Sequence, residues 1–118
     1  MSGEFFDTNV IVYFAAGDPA KAARAAELLA AGGFISVQVL SEFVDVARRK
    51  MNLDWPAVEE ALGLVRELVE VRPIDVDVHE QAVSLSRRHN LRIYDSMIVA
   101  AALLAGCDTL YTEDMQHG

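Results

Sequence analysis

The sequence predicts an α/β fold, a single three-layer α/β/α domain with a central, mostly parallel four-stranded sheet. Two observations lead to this prediction. Short apolar segments alternate with pairs of longer segments whose apolar residues recur at helical spacing. The chain's 118 residues suit one hydrophobic core without help from disulfides or structural metals, so we expect residues 1–118 to form one domain.

The predicted strands are short apolar runs that end at polar or turn-forming residues. The first runs from Glu4 to Asp7, and Phe5 and Phe6 give it a buried character. The other predicted strands are 34–35, 70–74 and 109–111. The complete order is β-α-α-β-α-α-β-α-α-β, which favours a parallel sheet with helices on both faces.

The predicted helices begin at capping residues, and several of them end at glycine. Asp18-Pro19 is a strong start signal, because an N-cap acid precedes a proline at the first helical position. The most apolar segment, from Met97 to Ala105, is expected to be a buried helix opened by Asp95-Ser96. The other predicted helices are Val10 to about Gly17, 20–31, from Ser36 to about Ala47, 54–68 and 77–90.

The net charge is −8, from 10 basic and 18 acidic side chains. Uniformly acidic surfaces repel phosphate backbones, so simple electrostatic adhesion to nucleic acid is disfavoured. If four carboxylates surround metal ions, the rest of the chain carries −4, and bound divalent cations would invert the sign of the charge at the site. The overall charge therefore says little about the charge at such a site.

The sequence shows no membrane or disulfide signal. No apolar run reaches the roughly 18 residues that a membrane span needs, and the N-terminus lacks the layout of a signal peptide. We therefore expect a cytoplasmic protein with no membrane association. Cys107 is the single cysteine, which excludes an internal disulfide and zinc sites built from several cysteines.

Four acidic residues are expected at one edge of the sheet. Asp7 ends the first strand, Asp114 follows the last strand, Asp95 lies in the first turn of a helix, and Glu42 lies on the helix after the second strand. In parallel α/β sheets, ligands bind at the carboxyl ends of the strands. Carboxylates brought together repel one another unless a cation compensates them, and oxygen-rich sites suit Mg²⁺ or Mn²⁺.

Each acid also has a simpler interpretation when it is taken alone. Asp7 could be an ordinary cap for the turn that follows it, and Asp95 could be an acid that stabilises the helix dipole. Glu42 and Asp114 could be solvated surface residues. The joint interpretation is preferred because it replaces four independent coincidences with one site.

Four motifs contain these acids: Phe6-Asp7-Thr8-Asn9-Val10, Ser41-Glu42-Phe43, Tyr94-Asp95-Ser96-Met97-Ile98 and Tyr111-Thr112-Glu113-Asp114-Met115. In order and spacing they resemble the acidic motifs of PIN-domain ribonucleases, specifically the VapC-type toxins of toxin–antitoxin systems. The resemblance covers nearly the whole chain. It implies a PIN-like fold, metal-dependent cleavage of RNA such as tRNA, neutralisation by a cognate antitoxin, and homodimer formation.

The resemblance also assigns residues. Asp7, Glu42, Asp95 and Asp114 match the family's metal-binding catalytic acids, and Mg²⁺, with Mn²⁺ as substitute, is the implied cofactor. Supporting polar positions near the metal are Asn9, Thr112, Ser96 and Ser41. PIN toxins usually continue into a further strand after the last motif, so either the sequence is truncated after Gly118 or this member lacks that fifth strand. A non-catalytic PIN scaffold that binds protein or RNA is the alternative function.

The remaining polar residues are expected to have structural roles. The three histidines do not form a catalytic set. The cluster Arg48-Arg49-Lys50 suits the C-terminal end of a helix, where cations interact favourably with the dipole, and Trp55 suits a packing contact at a helix start. Phosphate contacts by these cations, or by Arg87, Arg88 and Arg92, are the alternative.

Overall fold

The fold was obtained as a computed structural model, which describes residues 3–112. Four strands and six helices follow one another in the predicted order. The strands are β1 (Gly3–Phe6), β2 (Phe34–Ser36), β3 (Glu70–Arg72) and β4 (Cys107–Tyr111). The helices are α1 (Thr8–Ala16), α2 (Pro19–Ala30), α3 (Val37–Arg49), α4 (Trp55–Leu68), α5 (Val76–His89) and α6 (Ile93–Leu104).

The sheet is parallel throughout, with the strand order β3-β2-β1-β4. β1, β2 and β3 follow one another across the sheet in one direction. The chain then returns, and β4 pairs with the other side of β1. The order of connection therefore reverses between β1 and β4. In open α/β sheets, such a reversal opens a crevice at the carboxyl ends of the strands, where ligands bind. The predicted four-stranded α/β architecture is confirmed.

The two central strands, β1 and β2, are the most deeply buried part of the sheet, and β4 is an edge strand that pairs with β1. Phe5 and Phe6 of β1 are fully buried, and the Phe6 ring stacks on Tyr111 of β4 with 5.5 Å between the ring centroids. Gly33 lies close to β1 with φ at +150°, and a Cβ there would come within 2.6 Å of the Glu4 carbonyl oxygen. Glycine is the residue that tolerates both conditions.

The helices form two groups around the sheet. α1, α2, α3 and α4 pack on one another, while α5 packs along α6 and α6 packs on β4 and β2. Both groups contribute buried apolar side chains to the core, including Val10, Leu29 and Phe43 from the first group and Ile98 and Ala101 from the second. None of the described helices is long and apolar enough to cross a membrane.

Several predicted boundaries were wrong by one or two residues. β1 ends at Phe6, so Asp7 is not the last strand residue but the N-cap of α1, and Thr8 and Asn9 lie inside that helix. β3 stops at Arg72 because Pro73 follows it and lacks a backbone N–H for pairing. α6 begins at Ile93 instead of at Asp95. The ends of elements depend on individual hydrogen bonds that sequence periodicity does not report.

Candidate active site at the carboxyl ends of the strands

Asp7 lies at the point where β1 becomes α1, directly beside the end of β4. Its backbone N–H donates to the Tyr111 carbonyl oxygen at 2.8 Å, which continues the pairing of β1 with β4 by one residue. Its carboxylate Oδ1 accepts from the Thr8 N–H at 2.6 Å and caps the helix. The sheet on one side and the helix on the other thus fix Asp7 in the crevice between β1 and β4.

The environment of Asp7 disfavours its charged form. Burial of the half-buried side chain raises the pKa of the Asp7 carboxyl above its ordinary value of 3.8, and the hydrogen bond from the Thr8 N–H partly opposes this. The negative charges of Glu42 and Asp95 raise the pKa further. Asp7 therefore lies close enough to both acids to be affected by their charges, and a bound cation would relieve the repulsion.

Glu42 is held from two directions. It lies on α3, beside the buried Phe43, and is itself half-buried. The Thr8 hydroxyl donates to Glu42 Oε1 at 2.7 Å, and the Gln38 side-chain amide donates to Glu42 Oε2 at 3.3 Å. A partly buried carboxylate needs such donors, because without them the cost of removing it from water is not offset. The interpretation of Glu42 as an ordinary solvated residue is therefore wrong.

Asp95 is more open than the other two acids. It is the third residue of α6 and is exposed to solvent. The start of α6 is tied to α3, because Gln38 Nε2 also donates to the Tyr94 carbonyl oxygen at 3.1 Å. An acid in the first turn of a helix is favoured by the dipole. The helix dipole accounts for an acidic residue in the first turn of α6. It does not account for the position of that turn near Glu42 and Asp7.

The structure brings Asp7, Glu42 and Asp95 to one end of the sheet. Asp114, the fourth predicted ligand, lies outside the described residues. Within residues 3–112, no group of three or more Asp, Glu, His or Cys side chains is arranged closely enough to hold a metal ion. The chemistry of the donors still fits Mg²⁺ or Mn²⁺, since these ions need only one or two protein carboxylates and complete their coordination with water and phosphate oxygens.

The four predicted supporting residues fall into different surroundings. Asn9, in the first turn of α1, and Thr112, directly after β4, are half-buried; Thr112 follows Tyr111, whose carbonyl oxygen accepts from the Asp7 N–H. Ser96 is fully buried and shares a hydrogen bond of 2.9 Å with the Ser86 hydroxyl, so it joins α6 to α5. Ser41 is exposed and lines a groove between α3 and α4 together with Leu40, Val44 and Leu62.

Sequence reasoning missed two residues that contact the acids. Thr8 was interpreted only as a capping residue, yet its buried side chain, 7% exposed, donates to Glu42. Gln38 was not considered. The available signal was spacing, because Gln38 and Glu42 are four residues apart and therefore lie on the same face of a helix.

The basic cluster at the end of α3 has structural contacts. The Arg48 guanidinium lies over the Trp55 ring, 4.6 Å from its centroid, and donates to the Leu53 carbonyl oxygen at 3.0 Å. Arg49 forms an ion pair with Asp45 at 2.6 Å. The Arg48 contacts join the end of α3 to the start of α4, and the predicted position of the cluster at the C-terminal end of a helix is confirmed. Arg87, Arg88 and Arg92 are exposed around the α5–α6 turn, directly before Asp95.

Solved structures of several bacterial toxins have a similar fold. VapC20 of Mycobacterium tuberculosis, described as a Sarcin-Ricin loop cleaving toxin, aligns with a TM-score of 0.72 at 22% identity, over 92% of this chain and 88% of that one. A toxin–antitoxin complex from Klebsiella pneumoniae gives 0.70 at 23% identity, over 92% and 84%. VapBC2 of Rickettsia felis, bound to a DNA fragment from its promoter, gives 0.69 at 23%, over 92% and 86%.

Sequence comparison agrees with the fold. No curated protein sequence matches the chain. The family model described as PIN domain matches residues 5–117, which is nearly the whole chain and includes all four acidic motifs. The chain therefore belongs to the PIN domain family.

Proposed function

We propose that this protein is a Mg²⁺- or Mn²⁺-dependent endoribonuclease that hydrolyses phosphodiester bonds of RNA, and that it is the toxin component of a type II toxin–antitoxin system. The observation that carries the proposal is the meeting of Asp7, Glu42 and Asp95 at the strand-order reversal of a PIN domain. Burial and the charges of Glu42 and Asp95 raise the pKa of the Asp7 carboxyl, and a carboxyl perturbed in this way in a crevice is typical of sites that bind a cation or transfer protons.

The chemistry follows from the kinds of group present. Divalent cations bound by such carboxylates activate water, polarise a phosphate and stabilise the leaving oxygen. Asp7, Glu42, Asp95 and Asp114 would hold the cations. Thr8 and Gln38 keep the Glu42 carboxylate oriented, and we assign Asn9 and Thr112 to orienting water beside Asp7. No serine, cysteine or histidine nucleophile is required.

The surface beside the acids suits a phosphate backbone better than the net charge of −8 suggests. Arg87 and Arg88 are exposed in the last turn of α5 and Arg92 is exposed at the N-cap of α6, and within residues 3–112 none of the three forms an ion pair. Exposed arginines next to a cation site attract a polyanion to the cleavage position. The similarity to VapC20, described as cleaving the Sarcin-Ricin loop, supports structured RNA as the substrate class.

An antitoxin partner is the second part of the proposal. Structures of similar fold are toxin–antitoxin complexes, and an apolar groove between α3 and α4, lined by Val37, Leu40, Val44 and Leu62, offers a surface for a partner. Homodimer formation and a cytoplasmic location belong to the same proposal. The surplus of apolar helix surface, including Leu103 and Leu104 at about half exposure, supports dimerisation.

The decisive experiment is cleavage of purified RNA by the wild-type protein and by Asp7→Asn, with sequencing of the RNA ends. We expect Mg²⁺- or Mn²⁺-dependent cleavage by the wild type and none by Asp7→Asn. The amide oxygen of asparagine still accepts the Thr8 N–H, so the variant should fold. Glu59→Gln is the matched control, because it removes an exposed carboxylate on α4, and it should cleave like the wild type.

Equal cleavage by wild type and Asp7→Asn would show that the activity comes from elsewhere. A wild-type protein that binds RNA or the antitoxin but never cleaves, at any divalent cation concentration, would favour the alternative of a non-catalytic PIN scaffold. The Glu59→Gln control separates these outcomes from a general effect of lowering the negative charge.

A further inference from the structure

We propose that Gln38 is a positioning residue of this site, which orients Glu42 and sets its distance from Asp95. The inference rests on the proposed function, because it concerns how the acids are arranged to hold a cation. It adds a residue that none of the four acidic motifs contains. Its basis is a pair of hydrogen bonds from one side-chain nitrogen to two different helices.

The first hydrogen bond acts within α3. Gln38 and Glu42 are separated by one helical turn, and Gln38 Nε2 donates to Glu42 Oε2 at 3.3 Å. The Thr8 hydroxyl occupies the other carboxylate oxygen at 2.7 Å. With one donor on each oxygen, the plane of the Glu42 carboxylate is fixed before any ligand arrives. Each oxygen keeps a second lone pair for a cation or a water molecule.

The second hydrogen bond leaves α3. The same Nε2 donates at 3.1 Å to the carbonyl oxygen of Tyr94, the residue that precedes Asp95. α3 packs on α1 and α4, whereas α6 packs on α5 and β4, so the two helices belong to different groups around the sheet. Gln38 is thus a direct link between the helix that carries Glu42 and the first turn of the helix that carries Asp95.

The amide orientation of Gln38 follows from its partners. A carboxylate oxygen and a carbonyl oxygen both require a donor, so the nitrogen must face them and the oxygen must face away. That oxygen, Oε1, is buried and has no hydrogen-bond partner among the described residues. Buried acceptors without a partner are rare and call for an explanation. Here the explanation is the orientation of the amide, because Nε2 can reach Glu42 and Tyr94 only if Oε1 stays on the opposite side without a partner.

The hydrogen bonding of Gln38 therefore differs from that expected of a glutamine that only stabilises its own helix. A glutamine that only stabilised α3 would be more favourable with its amide in solvent, or with both amide atoms hydrogen-bonded. Gln38 instead leaves one polar atom unsatisfied while its other polar atom serves an acid and the helix of a second acid. Such arrangements are tolerated where they orient ligands for a metal.

The test is a comparison of Gln38→Met with wild type in Mn²⁺-dependent RNA cleavage and in direct Mn²⁺ binding by calorimetry. Methionine keeps the length of the side chain and removes both hydrogen bonds. We expect Mn²⁺ affinity to fall by about 10–100-fold, the usual effect of removing a residue that orients a metal ligand. Saturating Mn²⁺ should restore most of kcat, because the acids themselves remain.

Two further variants make the result interpretable. Gln38→Asn keeps the amide but is one methylene too short to bridge Glu42 and Tyr94, so it should weaken Mn²⁺ binding in the same way. Gln38→Asn also allows the effect on Mn²⁺ affinity to be measured if Gln38→Met fails to fold. Gln81→Met makes the same chemical change on α5, away from the acids, and should leave both Mn²⁺ binding and cleavage unchanged.

The outcomes separate this inference from the proposed function. Wild-type Mn²⁺ affinity in a folded Gln38 variant, or a kcat that stays low at saturating Mn²⁺ with unchanged affinity, would overturn the positioning role while wild-type cleavage stands. A wild-type protein that neither binds Mn²⁺ nor cleaves RNA would instead overturn the proposed function itself.

Discussion

The two sides of the candidate site are built differently. On the inner side, Asp7 and Glu42 are half-buried and joined through Thr8, which donates its N–H to one carboxylate and its hydroxyl to the other. On the outer side, Asp95 is exposed at the start of α6, and its carboxylate accepts no hydrogen bond from another described residue. The carboxylates of Asp7 and Glu42 therefore accept hydrogen bonds that help to hold the domain together, whereas the Asp95 carboxylate lies at the surface.

Because of this difference, substitutions on the two sides are expected to affect stability and activity in different proportions. Removing an inner residue changes hydrogen bonds that help to hold β1, α1 and α3 together, so its effects on stability and on activity are mixed. Removing the Asp95 charge changes little in the fold, because an exposed side chain without partners contributes little to it. Asp95 is therefore the place where a functional role can be measured most cleanly.

Asp95→Asn is expected to combine a large loss of activity with a very small change in stability. The fold should change by less than about 0.5 kcal/mol, as for other exposed substitutions. Cleavage should fall by about a hundredfold or more, since metal-assisted catalysis supplies several kcal/mol and each ~1.4 kcal/mol is tenfold in rate. Thermal unfolding and kcat/KM for RNA cleavage, measured on the same preparation, check both parts.

Asp77→Asn is the matched control for Asp95→Asn. Asp77 is also an exposed acid in the first turn of a helix, but it lies on α5. Its substitution should leave cleavage unchanged. If both variants cleaved like the wild type, Asp95 would be a helix-dipole residue and nothing more.

Thr8→Val should lower stability and activity together, which is the signature expected of the inner side. Valine has the shape of threonine without the hydroxyl, so Glu42 loses its 2.7 Å donor while the packing of this buried residue is kept. Hydrogen bonds to charged groups contribute about 1.5–3 kcal/mol. A loss of orientation at a ligand costs about 10–100-fold in metal affinity or activity.

Urea unfolding and metal-dependent cleavage measure the two effects of Thr8→Val. Thr109→Val serves as the control, because the Thr109 hydroxyl donates at 3.2 Å to the exposed Asp108 and should contribute no more than about 0.5 kcal/mol. A Thr8→Val protein as stable and as active as Thr109→Val would show that the inner side is not held by this hydrogen bond.

The sequence was sufficient to predict the larger features of this comparison. The alternation of apolar strands with helix pairs predicted four parallel strands, and acids placed after strands or early in helices predicted where Asp7, Glu42 and Asp95 lie. Both predictions rest on periodicity and on the geometry of parallel sheets, which are properties of the chain order.

The contacts that distinguish the inner from the outer side were not predicted. Whether Asp7 ends a strand or caps a helix depends on one hydrogen bond from Thr8, and the link from Gln38 to Tyr94 joins residues 56 positions apart. Neither leaves a local pattern in the sequence. The same limit applies to the hydrogen bond between Ser96 and Ser86 and to the α3–α4 groove that Ser41 lines.

The smallest expected effect concerns the stability of the inner side as the pH changes. Burial and the charges of Glu42 and Asp95 raise the pKa of Asp7 in the folded state above 3.8, so the folded protein binds more protons than the unfolded chain between these two pKa values. Stability then falls as the pH rises through that interval. The asparagine side chain in Asp7→Asn does not titrate, so the free energy of unfolding of this variant does not fall in this way.

In a chelating buffer, the melting temperature of Asp7→Asn should therefore match that of the wild type near or below pH 3.8 and exceed it slightly at neutral pH. Adding Mg²⁺ at neutral pH should close the gap by raising the wild-type melting temperature, because a cation that binds only the folded state stabilises it. A gap that is independent of pH, or a wild type that is the more stable protein in chelator at neutral pH, would show that Asp7 is a helix cap whose charge the fold accommodates without a cation.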